Sequence, residues 1–141
     1  MAKSLVSILV VDDYEPFRQF VASALAQNSE LQIIGEISDG LDAVHRAEET
    51  QPNLILLDIG LPTLNGIEAA CRIRDLSPAS KILFFSENRS QEIVEEALRS
   101  GAAGYVSKSD AARELLPAIE AVLQGRQFVS SILSDHIFNR K

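Results

Sequence analysis

Three carboxylates, a hydroxyl and an ammonium stand at the ends of short apolar runs. Asp12 and Asp13 follow residues 8–11, Asp58 follows 54–57, Ser86 follows 82–85, and Lys108 comes just after 105–106. If these runs are strands of one parallel sheet, their ends share one edge, where such sheets bind ligands. Two carboxylates about 5 Å apart repel by roughly 3 kcal/mol at an effective dielectric of about 20. Three converging carboxylates therefore need more positive charge than Lys108 supplies. A divalent cation meets that need, and an all-oxygen, partly hydrated site favours Mg²⁺. Mg²⁺ beside a nucleophilic Asp, a hydroxyl donor and a lysine is a set of parts for phosphoryl transfer.

The elements that must position these groups are legible from periodicity. Runs 8–11, 54–57 and 82–85 are apolar on consecutive positions, as in strands buried on both faces. Residues 31–37 mix Gln32, Gly35 and Glu36 with apolar residues and fit a sheet edge; 105–106 is a short fifth strand. Between them run stripes at helical spacing: Phe17, Phe20, Val21, Ala24 and Leu25; Leu41, Val44 and Ala47; Ile67, Ala70 and Ile73 after the turn "PTLNG"; Ile93, Ala97 and Leu98 closed by Gly101; and Leu115, Leu116, Ile119, Val122 and Leu123, opened by Ser109 or Asp110 and stopped by Gly125. Five strand-then-helix units predict an α/β domain with a parallel sheet over residues 1–125. Residues 126–141 read as a tail or the start of a linker. Pro117 inside the fifth helix predicts a bend or local loosening.

Composition bounds the rest. The 141 residues hold 13 Lys plus Arg against 20 Asp plus Glu, a formal net charge of -7, which argues against direct nucleic-acid binding. No apolar run is long enough to span a membrane, and the N-terminus lacks a signal-peptide pattern. Cys71 is the single cysteine, which excludes an internal disulfide and makes a cytoplasmic location the expectation. Its place beside the third helical stripe assigns it to the core. His45 and His136 have no partner at metal-ligand spacing and read as surface residues.

With these residues placed, the chain resembles a two-component response-regulator receiver domain (CheY-like) over roughly residues 5–125. The resemblance rests on "VVDD", "LLDIGLP" around Asp58, Ser86, and "GAAGYVSK" ending at Lys108, in the family's order and spacing. It implies a doubly wound, flavodoxin-like sheet of five strands in the order 2-1-3-4-5, with its switch point between strands 1 and 3. It implies that Asp58 accepts a phosphoryl group from a sensor histidine kinase. Asp13, Asp58 and the Gly60 carbonyl would bind Mg²⁺, with Asp12 acting through a metal-bound water. Lys108 would contact the phosphoryl group, Ser86 would move toward it, and Tyr105 would rotate inward to repack the face formed by helix 4, strand 5 and helix 5. The expected activity is self-phosphorylation from a phosphodonor and autodephosphorylation, not conventional enzyme turnover. "EEALRSGAAGYVSK" and "LLPAIEAVLQGRQFVSS" resemble receivers that precede a LuxR/NarL-type helix-turn-helix domain. Such a domain is absent from this chain, so either an excised receiver or a stand-alone regulator fits. Homodimerisation on phosphorylation, through helices 4 and 5 or helices 1 and 5, is a further expectation of the resemblance.

The chain departs from the family pattern at three places. Ser109 stands where a proline often follows the lysine, Glu87 where a small or apolar residue is usual, and Gly60, with Asn88, at positions that tune self-dephosphorylation. Glu87 and the missing proline motivate an alternative, a receiver-like interaction module that does not cycle. Tyr105 admits two readings, a moving switch or a static strand aromatic. A small-molecule phosphatase is a third class, for which no second general acid–base is visible.

Overall fold

The computed structural model describes residues 5–133. Five strands and five helices alternate: β1 (Val6–Val11), α1 (Glu15–Leu25), β2 (Leu31–Ile37), α2 (Gly40–Thr50), β3 (Leu54–Leu57), α3 (Gly66–Leu76), β4 (Lys81–Ser86), α4 (Gln91–Arg99), β5 (Gly104–Ser107) and α5 (Ala111–Leu123). All strand pairs are parallel, in the order β2-β1-β3-β4-β5, as expected for the doubly wound fold. β2 is the edge strand its mixed composition predicted.

Consecutive apolar residues work here because both faces of the sheet are covered. Leu9, Val11, Ile55, Leu57, Ile82, Phe84 and Tyr105 join one core with α2, α3 and α4. Ile8, Val10, Leu54, Leu56, Leu83, Phe85 and Val106 join the other with α1 and α5. Alternate residues of one strand thus serve opposite cores, the period-2 rule of β structure. Truncating any of these fully buried side chains to Ala costs about 2–5 kcal/mol.

Side-chain caps set three helix starts: Asp39, Asn65 and Ser90 accept from the N–H groups of Asp42, Glu68 and Ile93. Gly101, at φ 98°, follows α4 in the left-handed region that favours glycine, as the stripe predicted. Leu41 and Leu116, counted in the predicted stripes, are 42% and 43% exposed and lie at their stripes' edges.

Four expectations need adjustment. First, Phe128–Val129, within the segment read as a tail, forms β6, which pairs parallel with β5 and makes the sheet six-stranded. Ser130 and Leu133 beyond it are buried. Second, Cys71 is exposed and not in the core; it stands one position past Ala70, outside the buried arc of α3. Third, α5 runs unbroken through Pro117, which is solvent-exposed, so water can solvate the Arg113 carbonyl left without a helix partner. Fourth, Ser109, where a proline often stands, lies in a single 3-10 turn, Lys108–Asp110, and no peptide bond among the described residues is cis. His45 is exposed, as expected; His136 lies outside the described residues.

Candidate functional site

The site is built on backbone hydrogen bonds that carry the strands past their apolar ends. The Asp12 N–H donates to the Ile37 carbonyl at 2.9 Å, and the Asp58 N–H to the Val11 carbonyl at 3.0 Å. Both aspartates are therefore held as strand extensions, side by side at the point where strand order reverses. Gly66, the first residue of α3, packs against the Asp58 backbone so closely that a Cβ there would overlap the Asp58 carbonyl oxygen. The glycine of "LNG" lets α3 start directly under the acidic residue.

Asp12 is 1% exposed, and each of its polar groups has an assigned role. Its Oδ1 accepts the Tyr14 N–H at 2.9 Å, closing the turn into α1. Its carbonyl accepts from Arg18 Nη1 at 2.7 Å. Its Oδ2 lies 2.6 Å from Lys108 Nζ. Arg18 also pairs with Glu36 at 3.4 Å, tying α1 to the end of β2. Asp58 Oδ1 accepts the Ile59 N–H at 2.9 Å, while Oδ2 is 3.8 Å from Lys108 Nζ. Lys108 is thus nearer Asp12 than Asp58.

Asp12, Asp13 and Asp58 each offer a carboxylate oxygen, and these atoms lie within 4.8 Å of one another. Asp13 is exposed and faces the opening, whereas the other two are buried. One part-buried ammonium among three carboxylates leaves a net negative pocket with oxygen donors alone. That donor set fits a hard divalent cation of the Mg²⁺ class. Burial pushes the Asp58 carboxyl from 3.8 up to about 6; Lys108 opposes this, the Asp12 charge adds to it, and the Ile59 and Gly60 N–H groups oppose it.

The carboxylates open into a cleft of about 770 Å³, lined also by Phe17, Gly60, Ser86, Glu87, Asn88 and Lys108. Ser86 Oγ accepts the Asn88 N–H at 3.0 Å. Tyr105 is fully buried, and its hydroxyl donates to the Asn88 carbonyl at 2.6 Å. Burial pushes the Tyr105 phenol upward; a hydrogen bond with Ser86 opposes the shift and the Asp58 charge adds to it. The ring stands inward and is fully buried.

A profile described as "Response regulator receiver domain" matches residues 8–120. The chain belongs to the response regulator receiver family. It is 33% identical over 124 residues to the transcriptional regulatory protein DegU of Brevibacillus brevis, covering 88% of this chain and 52% of that protein. It is 33% identical over 128 residues to the nitrate/nitrite response regulator NarL of Escherichia coli K12, covering 91% of this chain and 59% of that protein. A LuxR-family two-component response regulator from Aurantimonas sp. SI85-9A1 superimposes with a TM-score of 0.90 at 32% identity, over 96% of this chain and 97% of that one. The receiver thus spans between half and three fifths of the length of these curated relatives.

Every site residue predicted from sequence in this receiver lies on one rim: Asp12, Asp13, Asp58, Gly60, Ser86 and Lys108 in or beside the cleft, with Tyr105 beneath Asn88. Three contributors escaped sequence reasoning. Arg18, in the first turn of α1 six residues beyond Asp12, carried no signal in its spacing. Phe17 was assigned wholly to the core stripe, yet its ring also faces Lys108. Ser130, remote in sequence, accepts the Ser107 N–H at 2.8 Å and donates to Glu114 at 2.6 Å.

Proposed function

We propose that this receiver is a phosphoacceptor switch in which Asp58 takes a phosphoryl group from the phosphohistidine of a sensor kinase. The observation that carries the reading is the convergence of three carboxylates within 4.8 Å beside the Lys108 ammonium. With Oδ1 engaged by the Ile59 N–H, Asp58 Oδ2 is the oxygen left to attack phosphorus. The P–N bond to the donor imidazole breaks as the P–O bond to Oδ2 forms.

Asp13, Asp58 and the Gly60 carbonyl would hold Mg²⁺, and Asp12 would act through a metal-bound water. When bound, the ion supplies neutralisation of the phosphoryl oxygens. Lys108 supplies a second positive charge to the same oxygens, moving from Asp12 toward Asp58. Ser86 Oγ would exchange the Asn88 N–H for a hydrogen bond with the phosphoryl group. Because Tyr105 donates to Asn88, that exchange reaches the α4-β5-α5 face, and a two-state equilibrium there is biased by one new network.

The likeness to DegU, a transcriptional regulatory protein, supports control of transcription through an output domain of the helix-turn-helix type. Dimerisation on phosphorylation would couple the switch to that output. No described helix is long and apolar enough to cross a membrane, which is consistent with action in the cytoplasm beside the kinase's catalytic core. The test is incubation with labelled acetyl phosphate, with Mg²⁺ or with a chelator. A hydroxylamine-labile label that requires Mg²⁺ is expected; a label indifferent to Mg²⁺ contradicts the metal assignment.

A further inference from the structure

We infer that Phe17 is a positioning residue whose ring face holds the Lys108 ammonium between Asp12 and Asp58. The inference deepens the phosphoacceptor reading and rests on it for the consequence to phosphoryl transfer, though not for the contact itself.

The geometry begins with Asp12. Its Oδ1 accepts the Tyr14 N–H, and the Phe17 N–H donates to the Tyr14 carbonyl at 3.1 Å. Pro16 sits in the first turn of α1, where its fixed φ suits a helix start. The carboxylate that pairs with Lys108 therefore also dictates where residue 17 stands. The ring is then wedged by Phe20 and Phe85, with centroids 5.8 and 5.7 Å away. Lys108 Nζ sits 4.6 Å from the Phe17 centroid, over the ring.

Three neighbours thus compete for the ammonium of a side chain that is only 14% exposed. Asp12 pulls at 2.6 Å and Asp58 at 3.8 Å, from the carboxylate side. The ring's negative face attracts the cation without offering an oxygen that a bound ion or phosphoryl group could claim. It stays available to the ammonium when Asp12 and Asp58 take other partners. An aliphatic residue at 17 would fill the same core space and provide no such hold.

The test replaces Phe17 with phenylalanines bearing one, two or three ring fluorines, which drain the ring's negative face at nearly constant shape. Phe17→Trp, with the strongest face, is the rescue. One readout is the Lys108 ε-methylene proton resonance, which ring current displaces upfield when the side chain lies over the ring. The other is the rate of Asp58 phosphorylation from acetyl phosphate with Mg²⁺. Along the fluorine series the Lys108 resonance is expected to drift toward its unperturbed position. The rate falls about three- to tenfold by the last member, Phe17→Trp retains it, and the melting temperature stays constant. A Lys108 resonance that does not respond to fluorination overturns the inference, as does a rate that stays flat while the resonance moves. If the resonance drifts but wild type takes no phosphoryl group, the Phe17–Lys108 hold stands and the phosphoacceptor reading fails.

Discussion

Asp12 Oδ2 and Lys108 Nζ meet at 2.6 Å, while Oδ2 of Asp58, the acceptor in the proposed function, lies 3.8 Å from the same ammonium. The lysine rests on the deeper carboxylate, and Asp58 lines the cleft. On the proposed function, a charge arriving on Asp58 would draw Lys108 across this short distance.

Lys108→Met should expose how much the deeper pair matters. Asp12, 1% exposed, would be left with no ammonium opposite it. The expected loss is about 2–4 kcal/mol in chemical denaturation, with most of it recovered in the Asp12→Asn/Lys108→Met double variant. Added Mg²⁺ should stabilise Lys108→Met more than wild type.

Asp58 gives the stability of the domain a pH dependence of known sign. Its carboxyl titrates at about 6 when folded and 3.8 otherwise, so the folded chain binds the extra proton between these values. The Asp58 contribution to stability without metal therefore falls as pH rises from about 4 to about 6, then levels. Asp58→Asn, which cannot ionise, should be more stable than wild type at pH 7 by on the order of 1 kcal/mol after allowing for solvent screening in the open cleft. The two should converge below about pH 4. Melting curves across this range, with a chelator present, check both statements.

Thr63 carries a β-branched side chain at φ 64°, in the loop between Asp58 and α3. Its hydroxyl accepts the Leu41 N–H and donates to Asp39, which partly offsets the strain. Thr63→Asn keeps an acceptor and tolerates this backbone conformation, so a gain of about 0.5–1 kcal/mol is expected. A urea midpoint moved upward with unchanged slope is the confirming result.

Ser130→Ala should lower stability by about 1–3 kcal/mol, because the fully buried hydroxyl satisfies both the Ser107 N–H and the Glu114 carboxylate. The amide resonances of Ser107 and Lys108 should shift with it, since β6 is bonded next to the site lysine. Neither should respond to Gln124→Ala, whose side chain is exposed and bonded to Arg126.

Much of this was legible in the sequence, for identifiable reasons. Residues 54–57 are apolar at four consecutive positions because two helical layers cover that strand, and the carboxylate that follows must sit on the rim. Asp12, Asp58, Ser86 and Lys108 were found because they interrupt apolar runs. β6 was not found: Phe128–Val129 is two residues long and half-buried, with none of the continuous hydrophobicity of a central strand. Cys71 was misplaced because it lies four residues after Ile67 on the same side of α3, and that side is only half-buried, so the buried arc is narrower than its spacing suggested. The inward Tyr105 and the ring of Phe17 over Lys108 depend on side-chain direction and on contacts between distant segments. Periodicity encodes neither.

In the proposed function Asp58 is the phosphoryl acceptor. Intact mass of the protein after incubation with acetyl phosphate and Mg²⁺, with Asp58→Ala alongside, is the decisive measurement. A gain of about 80 Da, one phosphoryl group, is expected on wild type and none on Asp58→Ala. An unmodified wild type, or an equal gain on both proteins, would contradict it.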